Sequence, residues 1–351
     1  MTETAGGAPR VAVVGGGAWG TTLAVHLSRR GPVALVVRDA AHAEALGRAR
    51  ENVRYLAGVP FPGTLAVSAD PAAVADADQL LVMAVPAAAM RESARRCASS
   101  IHSATVVLSV AKGLEQGSLL RMSEVLAQEL PAAAGRIGAM SGPNLALEIA
   151  RGLPASSVVA ATDEAVSGHA LALLASRTFR LYRNRDVIGV ELCGALKNIY
   201  AIAAGATDYL GFGDNGKASL ITRGVAEMTR LGLAAGAHAL TFAGLAGIGD
   251  VIATCSSPLS RNHRLGEELA KGRPWREIEG TLPGVAEGAY TVDVALALAE
   301  RHGVEMPIAR EVHRALFEGK SVQRCLVDLL SRESKDELAG FERWLEGAGR
   351  A

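Results

Sequence analysis

Hydrophobic positions change their rhythm once along this chain. Up to residue 182, short continuous apolar runs alternate with stretches whose apolar residues recur at helical spacing. The runs are 11–14, 33–37, 79–85, 104–110, 137–140, 156–160 and 178–182, with a shorter one at 65–67. A continuous, largely β-branched run is what a parallel strand buried on both faces needs. Between the runs, 21–31, 40–50, 87–99 and 117–130 read as helices, and a further short helix precedes 178. Residues 55–63 carry Pro and Gly and read as a loop. Such alternation predicts a doubly wound, mostly parallel sheet. After Asp186 strand signals become scarce. Residues 188–205, 220–233, 262–271, 289–302 and 308–317 carry apolar and small residues at helical spacing. The expectation is an α/β domain over 1–186 and an all-helical domain over 187–351. Residues 1–10 read as a disordered leader, and 333 onward as a charged, exposed tail.

The first strand runs into VAVVGGGAWG, with glycines at 15, 17 and 20. Strand, G-x-G-x-x-G turn, helix and second strand follow in order, the context of a Rossmann-type dinucleotide site. Gly15 would allow the tight turn, Gly17 the approach of a pyrophosphate, and Gly20 close helix–strand packing. Free N–H groups at the helix start would bind the phosphates. The bland alternative is a glycine-rich turn in an ordinary βαβ unit. At the end of the second strand stand Arg38 and Asp39. An acidic residue here favours NAD, and an arginine receives the 2′-phosphate of NADP. Arg38 comes first, which favours NADPH; Asp39 serves equally as a helix cap.

Composition narrows the partners. Lys+Arg and Asp+Glu are both 36, so no global field points to nucleic acid or acidic lipid. Aromatic residues are only 4%, so Ala, Val, Leu and Ile must build the cores. The four cysteines are far apart and form no CxxC pair, which argues against a disulfide framework or a zinc site. No signal-peptide core or membrane-length apolar run is read, and the expectation is a soluble, cytoplasmic protein.

Ligands of doubly wound sheets sit beyond the carboxyl ends of the strands. Pro86, Lys112 and 141–143 all fall there. Lys112 follows a buried strand and either binds an anion or is a solvated loop lysine. Lys197 lies in CGALKNIYAIAAGA, otherwise apolar and small. Buried there, it needs a partner or its pKa falls, and a lysine of lowered pKa serves as general acid or base; otherwise it snorkels to solvent. Asn198 beside it could bind a substrate oxygen or a neighbouring helix. Asp250, among glycines and aliphatics, either caps a helix or pairs with a cation such as Lys197. Ser260 or Asn262 could cap the helix after Pro258, with Arg261 gripping an anion at its start. Glu287 could reach a ribose hydroxyl or be an ordinary helix-start glutamate.

These residues carry a family resemblance. GGGAWGTTLA at 15–24, SVAKGLE at 109–115, SGPNLALE at 141–148, ELCGALKNIYAIAAG at 191–205, GFGDNGKASLITRGVAEM at 211–228, GLAGIGDVIATC at 244–255, LSRNHRLG at 259–266 and GVAEGAYT at 284–291 resemble the bacterial NAD(P)-dependent glycerol-3-phosphate dehydrogenases, in family order. The resemblance implies that Ala18, Trp19, Arg38, Ala146, Val285 and Glu287 contact the cofactor. Lys112 would meet both cofactor and substrate. Gly142 and Asn144 would line the substrate site, with Asp250, Ser260, Arg261 and Asn262. Arg261 would also lie near the cofactor. Lys197 would take the hydroxyl proton when glycerol 3-phosphate is oxidised to dihydroxyacetone phosphate. Where Asn144 stands the family often has Thr or Ser, and Leu145 replaces a usual Phe. The resemblance also implies a role in phospholipid synthesis and a homodimer through the helical domain.

Two other readings differ in class. A related NADP-linked hydroxyacid dehydrogenase would use a helical-domain lysine but bind a carboxylate. A non-catalytic dinucleotide sensor would be expected to have lost Lys197 or Asp250, and both are present.

Overall fold

The computed structural model describes residues 10–341 except Pro283 and Lys335. The leader expected at 1–10 lies outside these, apart from Arg10, which donates to Asp78 at 2.8 and 2.9 Å. Most of the charged tail from 333 also lies outside them.

The described residues form ten strands: β1 Val11–Val14, β2 Val33–Val36, β3 Glu51–Asn52, β4 Leu56–Pro60, β5 Leu65–Ser68, β6 Leu80–Met83, β7 Val106–Ser109, β8 Ile137–Ser141, β9 Ala155–Ala160 and β10 Phe179–Asn184. Eight make one sheet in the order β10-β9-β8-β7-β6-β1-β2-β5. Every pairing in it is parallel except β8 with β9. The fold is the mostly parallel, Rossmann-type sheet that the alternating pattern predicts.

The chain fills one side of β1 first, through β2 and β5, then crosses to β6 on the other. That reversal places a crevice at the carboxyl ends of β1 and β6, where such sheets bind ligands. Both faces of the central strands are covered. Val13, Leu35, Val82 and Leu108 pack in one layer, and Ala12, Val14, Leu81, Met83 and Val107 in the other. Helices α1 Ala18–Ser28, α2 Ala40–Ala49, α3 Met90–Cys97, α4 Met122–Glu129, α5 Ala146–Ala150 and α6 Glu164–Leu174 accompany the sheet.

From Val187 the chain is helical: α7 Val187–Tyr209, α8 Gly213–Ala234, α9 Ala239–Phe242, α10 Asp250–Ser256, α11 Arg261–Ala270, α12 Trp275–Ile278, α13 Glu287–His302, α14 Pro307–Phe317 and α15 Val322–Leu330. In α7 every residue but Ile188, Ala203, Asp208 and Tyr209 is buried. By length and composition α7 could cross a membrane, but 89% of its apolar window lies inside the fold. Glycines let other elements reach it. A Cβ on Gly205 would stand 1.9 Å from the His263 carbonyl O, and one on Gly266 would stand 1.9 Å from that of Ile202. These two glycines bring α7 and α11 into backbone contact, as side chains would not allow.

Two sequence expectations need correction. Residues 55–63 are not all loop: β4 pairs antiparallel with β3 in a separate two-stranded hairpin, an edge position where Pro60 is tolerated. Helix α4 starts at Met122, not 117. Gly117 and Leu119 adopt positive φ of 81° and 63°, and an isolated bridge joins Leu114 to Arg121. Helix α15 places Val322, Cys325, Leu326 and Leu329 at helical spacing, a pattern absent from the helices expected above.

Candidate active site

The glycine turn shows a distinct need at each position. Gly15 has φ of 122°, and its N–H donates to the Val36 carbonyl at 2.8 Å. A Cβ on it would stand 2.4 Å from the Ala84 carbonyl O, and one on Gly20 would stand 2.0 Å from that of Gly15. Gly17 is different: a Cβ there would meet nothing within 4 Å, so the space over the turn is open. Gly17 is also the N-cap of α1, with no side-chain cap, which leaves first-turn N–H groups free. Ala18 and Trp19 open that helix. The Trp19 ring stands edge-on to Phe179, and its buried Nε1 has no partner among the described residues.

Arg38 and Asp39 part company. Asp39 caps α2, accepting from the His42 N–H at 2.8 Å. Arg38 is exposed and has no hydrogen-bond partner among the described residues.

Across the crevice, α7 carries Lys197 and α10 carries Asp250, 5% and 1% exposed. Lys197 Nζ donates to Asp250 Oδ1 at 2.9 Å and to Thr254 Oγ1 at 2.5 Å. Lys112, just past β7, donates to Asp250 Oδ2 at 2.6 Å and to the Gly142 carbonyl at 2.8 Å. So Lys197 does not snorkel, and the Asp250 carboxylate binds lysines rather than capping its helix. Gly194 makes room: a Cβ there would stand 2.7 Å from Ser141 Oγ and 3.5 Å from Lys112 Cγ. Gly142 has φ of 150°. Asn144 donates to Ser157 Oγ at 3.1 Å, while its buried Oδ1 has no partner among the described residues.

The third group arrives on α11 and α13. Ser260 caps α11, accepting from the His263 N–H at 3.2 Å. Arg261 has no hydrogen-bond partner among the described residues, and its guanidinium lies over Gly284, whose φ is 89°. Asn262 donates to Asn198 Oδ1 at 2.9 Å and accepts from the Gly288 N–H at 3.0 Å. Asn198 in turn donates to the Lys112 carbonyl at 3.1 Å. Glu287 and half-buried Val285 stand at the start of α13, and a Cβ on Gly113 would lie 3.1 Å from Glu287 Oε2. Ala146 opens α5, and its carbonyl accepts from Thr22 Oγ1 at 3.1 Å.

Family models match nearly the whole of this arrangement. The N-terminal model of NAD-dependent glycerol-3-phosphate dehydrogenase covers residues 10–167, and the C-terminal model covers 186–327. The chain belongs to the NAD-dependent glycerol-3-phosphate dehydrogenase family. It is 45% identical over 329 residues to the glycerol-3-phosphate dehydrogenase [NAD(P)+] of Streptomyces avermitilis, covering 93% of this chain and 98% of that one. It is 47% identical over 303 residues to a second such protein, from Sphingopyxis alaskensis, covering 86% and 90%. The crystal structure of glycerol-3-phosphate dehydrogenase from Coxiella burnetii superposes with a TM-score of 0.86 at 38% identity, covering 92% of this chain and 98% of that one.

The electrostatics of this dehydrogenase follow from burial and pairing. Burial alone would push the Asp250 carboxyl up, but Lys112 and Lys197 hold it below the usual carboxylate range. For Lys112, burial outweighs the attraction of Asp250 and, with repulsion from Lys197, brings the ammonium down to about 8. Burial raises Glu287 to about 6, against the Ala87 N–H and Arg261.

Three residues of the dehydrogenase's site were not singled out from sequence. Thr254 lies one turn after Asp250, and that i, i+4 spacing was readable. It donates to Asp250 Oδ1 at 3.1 Å. Ser157 and Asn52 gave no signal, because strands distant in sequence bring them in.

Proposed function

We propose that this chain interconverts sn-glycerol 3-phosphate and dihydroxyacetone phosphate with NAD(P), and that the residues gathered above perform the reaction. The observation that carries the reading is the sharing of buried Asp250 by Lys112, just past the carboxyl end of β7, and Lys197 of α7. The turn fits a dinucleotide: Gly17 leaves open space, and the N–H groups of α1 face it uncapped. When bound, a nicotinamide would supply hydride exchange at the secondary alcohol carbon.

Everything else falls to the chain. An ammonium has three donors, and Lys197 spends two on Asp250 and Thr254. The third is left for the substrate oxygen. In reduction this ammonium gives a proton to the forming alkoxide and stabilises its charge; in oxidation the neutral amine takes the hydroxyl proton and becomes the ammonium again. Lys112 likewise keeps one donor for the substrate. Asp250 orients both. Arg261 binds the phosphate, helped by the N-terminus of α11 that Ser260 caps, and so fixes the alcohol carbon for hydride transfer. Asn262 keeps one donor hydrogen beyond its bond to Asn198. Gly142 and Asn144 line the substrate side, and Ala18, Trp19, Arg38, Ala146, Val285 and Glu287 the cofactor side.

In this reading residues 1–186 bind the dinucleotide and 187–351 bind and protonate the substrate. Reduction supplies glycerol 3-phosphate for phospholipid synthesis. Burial of α7 and of four unpaired cysteines supports a cytoplasmic enzyme. Exposed Tyr209 and Phe212 support a homodimer through the helical part, which light scattering after gel filtration tests.

Purified protein with dihydroxyacetone phosphate and NADPH or NADH, followed by nicotinamide absorbance, tests the reaction. Loss of the reduced-cofactor signal supports it. No loss with either cofactor from folded protein overturns it, and turnover of 3-hydroxy acids instead would move the assignment to the hydroxyacid dehydrogenases.

A further inference from the structure

Asn52 is fully buried, at 0% exposure, and sits in the short hairpin strand β3 beneath the glycine turn. Its Nδ2 donates to the Gly16 carbonyl at 2.9 Å and to Thr21 Oγ1 at 2.8 Å. Its Oδ1 accepts from the Tyr55 N–H at 3.3 Å. Both donor hydrogens meet oxygens and the acceptor meets an N–H, so only this orientation of the amide satisfies all three partners.

A trans peptide is planar, with its C=O and N–H pointing to opposite sides. Fixing the Gly16 carbonyl toward Asn52 therefore fixes the Gly17 N–H away from it. That N–H donates to no group among the described residues. The side chain of Asn52 thus sets a peptide that a run of three glycines would otherwise leave free to flip. The bond to Thr21 ties the same amide to the first turn of α1, so turn and helix start are held together.

We propose that Asn52 is a positioning residue for the cofactor diphosphate: it holds the 16–17 peptide with the Gly17 N–H presented to the anion. The proposal rests on the reading that the diphosphate lies over the glycine turn. Asn52, buried beneath the turn, acts through the Gly16 carbonyl.

Fluorescence titration and steady-state kinetics on the full chain test this, with Asn52→Ala, Asn52→Asp and, separately, Gly17→Val. Asn52→Ala is expected to weaken NADPH binding roughly tenfold, the effect of one lost buried hydrogen bond. Asn52→Asp weakens it further, because a carboxylate facing the Gly16 carbonyl drives the peptide over. The rise appears in KM for the cofactor, while kcat at saturating cofactor and KM for dihydroxyacetone phosphate stay within about twofold. Adenosine and 2′-AMP, which carry no 5′-phosphate, bind both variants as they bind the wild type. Unchanged NADPH affinity overturns the proposal. So does parallel weakening of NADPH and the nucleotide fragments, or failure of both variants to fold, since either makes Asn52 a residue of the fold alone. Gly17→Val separates the two levels. If it leaves NADPH affinity intact, the diphosphate is not at the turn; if it abolishes binding while the Asn52 variants bind NADPH as tightly as the wild type, only the role of Asn52 fails.

Discussion

Lys112 and Lys197 bind opposite oxygens of one carboxylate, at 2.6 Å from Asp250 Oδ2 and 2.9 Å from Oδ1. The two ammonium groups come from the strand sheet and from the helical part, so this buried carboxylate joins the halves where the chemistry takes place. Asp250→Asn removes the charge while nearly keeping the shape. It leaves buried Lys197 and partly buried Lys112 without their counter-charge, and breaking such a pairing typically costs ~3–5 kcal/mol. We expect kcat to fall by at least ~100-fold, the lower bound for losing a positioned acid–base group. Cofactor KM should hardly move. Stopped-flow single turnover checks this; a wild-type chemical step in Asp250→Asn would remove Asp250 from the mechanism.

The pH dependence follows from Lys112. Its pKa is lowered to about 8 by burial, against Asp250 and with Lys197. Below that pH the group is cationic and attracts a phosphorylated substrate; above it the charge is lost. We therefore expect kcat/KM for dihydroxyacetone phosphate to decline as pH rises through about 8. Lys112→Arg keeps the charge over that range and should flatten this limb, whatever it costs in absolute rate. A limb unchanged in Lys112→Arg assigns the titration to another group.

How much of this was legible in the sequence depends on distance along the chain. Strands β1, β6 and β7 were readable because burial on both faces demands continuous apolar runs. The glycine turn was readable because strand and helix flank it within one short unit. The pairing of Lys197 with Asp250 was readable only as an option, since a lone charge in an apolar helix needs a partner but does not say which. The hairpin of β3 and β4 was lost: Gly58, Pro60 and Pro62 spoke louder than Leu56 and Val59, which are buried against the sheet layer. Asn52 was silent for the same reason. Its partners lie 31 and 36 residues away.

Helix crossing gives a stability prediction. The Cβ of Gly205→Ala would stand 1.9 Å from the His263 carbonyl. Helices α7 and α11 must then separate, and overpacking of this kind typically costs ~1–3 kcal/mol. Because α11 carries Arg261 and α7 carries Lys197, separation also lengthens the reach from phosphate to acid. Thermal unfolding should show a lower Tm, and KM for dihydroxyacetone phosphate should rise more than KM for the cofactor. A lower Tm with both constants unchanged would make the crossing purely structural.

Cofactor preference turns on Arg38. Asp39 is engaged in capping α2, whereas Arg38 is exposed and unpartnered among the described residues. A free guanidinium at the end of β2 suits a 2′-phosphate. Arg38→Ala should lower kcat/KM with NADPH by about tenfold or more, as loss of a charge-assisted contact does. The value with NADH should stay nearly constant. Equal losses with both cofactors would show that Arg38 does not read the 2′ position.

A buried carboxyl far from the chemistry supplies the last prediction. Glu227 of α8 accepts from the Ile308 N–H at 2.8 Å, the Ala309 N–H at 3.3 Å and Tyr200 OH at 3.1 Å. It thus holds the first turn of α14 against α7 and α8. Burial raises its pKa to about 7, although those hydrogen bonds and nearby Arg230 favour the charged form. In the unfolded chain a glutamate titrates near 4.3. Between these values the folded state binds the proton that the unfolded state has released. The stability this contributes is complete below the unfolded pKa and is lost as pH rises through about 7. Glu227→Gln removes the titration while leaving an oxygen for Ile308 or Ala309. Chemical denaturation from pH 5 to 8 should therefore show a steeper fall of unfolding free energy for the wild type than for Glu227→Gln. Parallel curves would mean that Glu227 is charged throughout, its three donors outweighing its burial.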